Sequence, residues 1–181
     1  MDRMRTAALL TRLMEELRNN ESWCGETHVQ KVAFFAQELT GIPMNFDFIL
    51  YKHGPFSFDL RDEITSLRAD GLVKLETQWL YGPRLLPTER SQYVQGLYPK
   101  TLKKYEKKIE FVTQWLGDKG VVDLERIGTA FYISKCENKK VSVDERATRL
   151  TALKPHISRE DALKAVQTVD EIVAQVQNQT P

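Results

Sequence analysis

Ser57-Phe58-Asp59-Leu60-Arg61-Asp62-Glu63-Ile64-Thr65-Ser66-Leu67-Arg68-Ala69-Asp70-Gly71-Leu72-Val73-Lys74-Leu75-Glu76-Thr77-Gln78-Trp79-Leu80 is the stretch whose reading decides the fold. Ser57 is a helix N-cap residue. Leu60, Ile64 and Leu67 then recur at helical spacing, and Asp70-Gly71 ends the periodicity. From Leu72 the period changes to two. Val73, Leu75, Thr77 and Trp79 alternate with Lys74, Glu76 and Gln78, a strand pattern that the Tyr81-Gly82-Pro83 turn sends back through Arg84 to Pro87.

Upstream, Leu10, Leu13, Met14 and Leu17 mark a first helix that ends at Asn19-Asn20-Glu21-Ser22. Thr27 with Gln30 has the spacing of a capping box for a second helix, Val29 to Leu39, apolar around most of its circumference. Gly41 and Pro43 stop it. Phe46 to Tyr51 alternates as a short strand that Lys52-His53-Gly54-Pro55 breaks. Helix, helix, strand, helix and a two-stranded hairpin is the order of a winged helix-turn-helix.

Downstream the pattern is helical. Pro99 opens a helix running to about Leu116, with Leu102, Tyr105, Ile109, Val112 and Leu116 inward. Leu124, Ile127, Ala130 and Phe131 mark another that ends before Glu137. Ser142 and Glu145 form a capping box for Val143 to Leu153, and Ser158 caps the last helix. The expected architecture is therefore mostly α, of the α+β class. A winged-helix-like domain over residues 1–95 precedes a helical part over residues 96–181.

Composition narrows the function classes. The chain has 181 residues, 26 Lys+Arg against 25 Asp+Glu, and 41% apolar residues, which suits one or two packed domains and argues against disorder. No apolar run approaches the roughly 20 residues of a membrane span, and the N-terminus lacks a signal-peptide pattern. Cys24 and Cys136 form no paired motif, which fits a reducing cytoplasmic setting. His28, His53 and His156 lie far apart in sequence and outside any metal-ligand spacing, so neither a metal nor another cofactor is expected. His53, Ser57 and Asp59 tempt a hydrolase reading, but Ser57 has a capping role and no nucleophile-elbow motif is present.

His28-Val29-Gln30-Lys31-Val32-Ala33-Phe34-Phe35-Ala36-Gln37, followed by Phe48 through Ser57 and on to Leu67, Gly71 and Val73, resembles the Panacea antitoxin domain. It is similar also to a set of small bacterial winged-helix-like proteins of unassigned role. The resemblance covers about residues 27–80. Asp144 to Ala147 and Leu153 to His156 look like the helical tail of the second group. His53 directly before Gly54-Pro55, with Tyr51 two places earlier, departs from the usual tyrosine-glycine-proline turn. The resemblance implies a non-enzymatic prokaryotic protein that neutralises a toxin or defence component by binding it.

Charge then places candidate surfaces. From Ser57 to Asp70, the acids Asp59, Asp62, Glu63 and Asp70 outnumber Arg61 and Arg68, leaving net −2 on the helix that a winged helix lays in a DNA groove. Asp59, Asp62, Glu63 and Trp79 are accordingly expected to bind a protein partner by occluding one of its surfaces. The alternative is a DNA-binding regulator using Arg61, Arg68, the hairpin and a ridge of Lys100, Lys103, Lys104, Lys107 and Lys108, which share one helical face. Trp23 and Trp115 are further large aromatics, either packed or anchoring a partner. A homo-oligomer is compatible with all of this.

Overall fold

The computed structural model describes residues 2–78, 81–136 and 141–179. In chain order the elements are α1 (Arg3–Asn19), α2 (Glu26–Glu38), β1 (Ile49–Tyr51), β2 (Gly54–Phe56), α3 (Phe58–Ala69), β3 (Val73–Gln78) and β4 (Tyr81–Pro87). There follow α4 (Glu89–Leu97), α5 (Pro99–Leu116), α6 (Val121–Cys136), α7 (Val143–Leu153) and α8 (Arg159–Gln179). Among the described residues the protein is thus mostly helical with two small antiparallel hairpins, an α+β composition. The chain divides into two compact units, residues 1–48 with 57–119 and residues 49–56 with 120–181.

In the first unit α2 is the buried helix, as its apolar circumference requires. Val29, Val32, Ala33, Phe34, Phe35 and Ala36 are all in the core. Its end follows from backbone chemistry. Gly41 takes φ +69, and the Ile42 N–H reaches back to the Ala36 carbonyl at 3.1 Å, covering acceptors the helix leaves open. Its start differs from the capping-box expectation. The N-cap is Gly25 and α2 begins at Glu26. Gln30 is instead fully buried, with its amide on α3: Nε2 donates to the Ser57 carbonyl and Oε1 accepts the Ser57 N–H, both at 2.9 Å. The Ser57 hydroxyl accepts the Leu60 N–H at 3.2 Å and caps α3 as the sequence indicates.

β3 and β4 pair as the expected hairpin, with Val73 opposite Pro87 and Leu75 opposite Leu85. β4 is stitched to the α1–α2 connection by a bridge between Gly25 and Arg84 and by the Leu85 N–H donating to the Cys24 carbonyl at 2.9 Å. The Trp23 indole N–H donates to the Gly82 carbonyl at 2.9 Å, and Arg84 lies over the Trp23 ring. Helix α4 was not legible from periodicity. Thr88, which stands at its N-cap, spends its hydroxyl on the Gly71 and Leu72 carbonyls instead.

The boundary expected at 95/96 falls elsewhere. Gln95 donates to the Thr11 hydroxyl at 3.2 Å and to the Glu15 carboxylate at 3.0 Å, so α4 is sewn onto α1, and α5 packs on α1 and α2. The first unit therefore runs on to Lys119.

In the second unit α6, α7 and α8 pack on one another, and Arg146 of α7 joins all three. Its guanidinium grips Asp170 with two bonds of 2.7 Å and donates to the Ser134 hydroxyl at 3.0 Å. Of the segment read as a strand, Phe46 to Tyr51, only Ile49–Tyr51 is strand, and it forms a hairpin of this unit with Gly54–Phe56. Tyr51 pairs with Gly54 around Lys52-His53, and Leu50 with Pro55. Gly54 has φ +85, a conformation that suits glycine at the end of so tight a turn. Pro55 is tolerated because the sheet has only two strands, so one side of each is an edge.

Replacing Gln30 by Met keeps the volume but leaves the Ser57 N–H and carbonyl buried without their amide partner. Loss of about 2–4 kcal/mol is expected. Urea unfolding followed by tryptophan fluorescence reads it, since Trp23 and Trp115 belong to the first unit. A change under about 0.5 kcal/mol contradicts this assignment.

Candidate binding surfaces

Helix α3 turns Leu60, Ile64 and Leu67 inward and exposes Phe58, Asp59, Arg61, Asp62, Thr65 and Arg68. Phe58 remains 41% exposed, and the Arg61 guanidinium lies over its ring at 5.0 Å while pairing with Asp62 at 3.4 Å. Glu63 differs from the sequence expectation. It is half-buried and paired with Arg3 of α1 at 3.2 Å, and Arg3 also holds Asp70 at 2.7 Å. Burial raises the Glu63 carboxyl above the usual range, with Arg3 opposing. Glu63 and Asp70 therefore tie α1 to α3, and the outward charges of α3 reduce to Asp59 and Asp62 against Arg61 and Arg68. Trp79, the fourth residue expected at this surface, lies outside the described residues.

Lys100, Lys103, Lys104, Lys107 and Lys108 are all exposed on the first turns of α5, as their spacing indicates. Lys108 donates to the Thr40 carbonyl, and Lys104 and Lys108 flank the Tyr105 ring at 5.3 and 5.9 Å. Among the described residues no ion pair engages Lys100, Lys103, Lys104 or Lys107. Arg5 of α1 joins this surface: a cleft of about 260 Å³ is lined by Arg5, Lys100, Thr101, Lys104 and Tyr105.

The second unit holds a cluster that sequence spacing did not reveal. Glu125 of α6 is buried, and three cationic or titratable groups converge on its carboxylate: His53 Nδ1 at 3.4 Å, His156 Nε2 at 3.3 Å and Lys154 Nζ at 3.4 Å. Lys154, itself buried, donates to the Tyr51 carbonyl at 2.9 Å and to the Lys52 carbonyl. Its ammonium thus satisfies the turn of the β1–β2 hairpin while neutralising Glu125. The four residues span more than a hundred positions, and only the docking of the hairpin on α6 brings them together.

The remaining candidates take structural positions. Ser57 is fully buried, its hydroxyl accepting from Leu60, and His53 belongs to the other unit, facing Glu125. His28 is buried, and that burial holds its imidazole below its ordinary pKa, with Lys31 adding to the effect. Cys24 is buried, and that burial pushes its thiol up to about 12. Among the described residues no group of three or more His, Cys, Asp or Glu is disposed to hold a metal ion, and no helix is long and apolar enough to cross a membrane. Comparison with protein-family models finds no match, and comparison with the curated proteins finds none.

Lys154→Met removes the cation from a buried pair and leaves Glu125 charged and the hairpin turn carbonyls without their donor. The second unit should lose about 3–5 kcal/mol, read as faster amide hydrogen exchange throughout α6 and α7. Removing both charges together (Lys154→Met with Glu125→Leu) should recover part of it. Unchanged exchange in the single variant contradicts the role given to this cluster.

Proposed function

We propose that the chain is a non-enzymatic, cytoplasmic binding module that acts by covering a surface of a partner protein, in the manner that its resemblance to the Panacea antitoxin domain implies. In this reading α1, α2, α3 and the β3–β4 hairpin make a winged-helix-like domain. The Gly25–Arg84 bridge supports it, since it places a strand-like residue between α1 and α2 against the hairpin.

The observation that carries the reading is the outward face of α3. Phe58 and Arg61 form an exposed stack at 5.0 Å between Asp59 and Asp62, on a helix start held by Ser57 and Gln30. Aromatic and Arg side chains supply most of the energy in protein interfaces, and a rigid backbone lowers the ordering cost of binding. A DNA-docking α3 is disfavoured at the same place. Asp59 occupies its first turn, where the helix dipole would otherwise attract a phosphate. The partner surface this face fits is apolar at its centre, with basic residues facing Asp59 and Asp62 and acidic ones facing Arg68 at its rim.

A photo-crosslinking phenylalanine analogue at position 58 tests this in cells of the native host. One adduct protein should recur, and Asp59→Lys with Asp62→Lys should reduce that adduct at least tenfold, which corresponds to about 1.4 kcal/mol. Adduct yield unchanged by the two charge reversals contradicts the reading.

A further inference from the structure

The cleft between α1 and the start of α5 is lined by Arg5, Lys100 and Lys104 together with Thr101 and the Tyr105 ring, and no carboxylate lines it. We propose that this cleft is a phosphate-binding site and that, with the lysine ridge leading away from it, it takes a nucleic-acid backbone.

Arg5, Lys100, Thr101 and Lys104 all line the cleft, and three of them carry cationic groups able to donate several hydrogen bonds. Asp2 lies beside this surface: it accepts the Tyr98 hydroxyl at 2.7 Å, that bond and the Arg5 charge hold its pKa down, and Arg5 stacks on the Tyr98 ring at 5.6 Å. Like charges held together repel, so a cluster of three cations is most stable when an anion sits among them.

At about 260 Å³ and open to solvent, the cleft has room for a phosphate group and does not enclose a drug-sized ligand. The ridge then selects what the group belongs to. Lys103, Lys107 and Lys108 continue the same face, and Lys100 to Lys108 spans about 12 Å at 1.5 Å per residue. That length faces three or four phosphates of one DNA strand at about 3.4 Å each. A free phosphate would leave most of this face unused. An acidic peptide matches the charge as well, and the competition below distinguishes it.

This site does not involve α3, so its test is independent of the preceding one. Fluorescence anisotropy with the full chain and a labelled 20-base-pair duplex should show binding at 50 mM salt that weakens roughly 40–150-fold at 200 mM, as for three or four neutralised phosphates. Arg5→Gln with Lys100→Gln and Lys104→Gln should cost at least tenfold at 50 mM salt with an unchanged circular-dichroism melt. Lys164→Gln, on α8, and Asp59→Lys with Asp62→Lys should leave duplex affinity lowered less than twofold. No duplex binding at 50 mM salt, or triple-variant binding within twofold of the wild type, overturns the proposal. So does displacement of the duplex by poly-L-glutamate at equal charge concentration, or by inorganic phosphate at equal phosphate concentration.

Discussion

The first unit depends on one side-chain amide. Gln30 lies in the middle of the most buried helix, where a polar group costs free energy unless both its donor and its acceptor are satisfied. The two groups that satisfy it are the N–H and C=O of Ser57, the residue that starts α3. An amide that pairs with both the N–H and the C=O of one residue in this reciprocal way fixes the position and the orientation of that residue's backbone, as a β-bridge does. The Ser57 hydroxyl, held in turn, caps α3. Chain entry into α3, its axis and the face it turns outward all follow. Arg3 adds a second tie from α1 through Glu63 and Asp70.

Those ties alter the electrostatic argument that the residues alone suggest. Counted along the chain, α3 and its C-cap carry two excess acids. In the folded unit Glu63 and Asp70 face Arg3, and the outward charges of α3 balance. The α3 face is therefore a mixed surface built around an aromatic–guanidinium stack, which suits a protein partner better than either a strongly acidic or a basic helix would. Among the described residues, positive charge outside any ion pair is concentrated instead on Lys100, Lys103, Lys104 and Lys107 of α5. The first unit thus has two surfaces of different chemistry, and it keeps them on separate elements.

The sequence was informative wherever a local rule decided the outcome. Ser57, the Ser142–Glu145 box, Gly41, Pro99 and the helical stripes of α1, α5 and α8 mark element ends and faces through short-range chemistry, and the structure has them where the residues place them. Long-range pairing is where the reading failed. Gln30 at the third place after Thr27 satisfies the spacing of a capping box, and only the fold reveals that Ser57 is its partner. Gly54-Pro55 reads as a strand breaker because each residue is one in isolation, yet a two-residue turn and an open sheet edge accommodate both. Glu125 with Lys154, His53 and His156 was invisible for the same reason, since no spacing rule links positions so far apart. The domain boundary moved because Gln95 reaches back to Thr11 and Glu15.

The claim on which the rest stands is that the Gln30 amide locks the entrance of α3. Amide hydrogen exchange at Ser57, followed by NMR on the intact protein, tests it most directly. The account predicts that the Ser57 N–H exchanges as slowly as the core amides of α2, opening only with the first unit as a whole. Exchange at the rate of an exposed loop amide would mean that the Gln30 bridge does not hold, and that the face presented by α3 is not fixed by it.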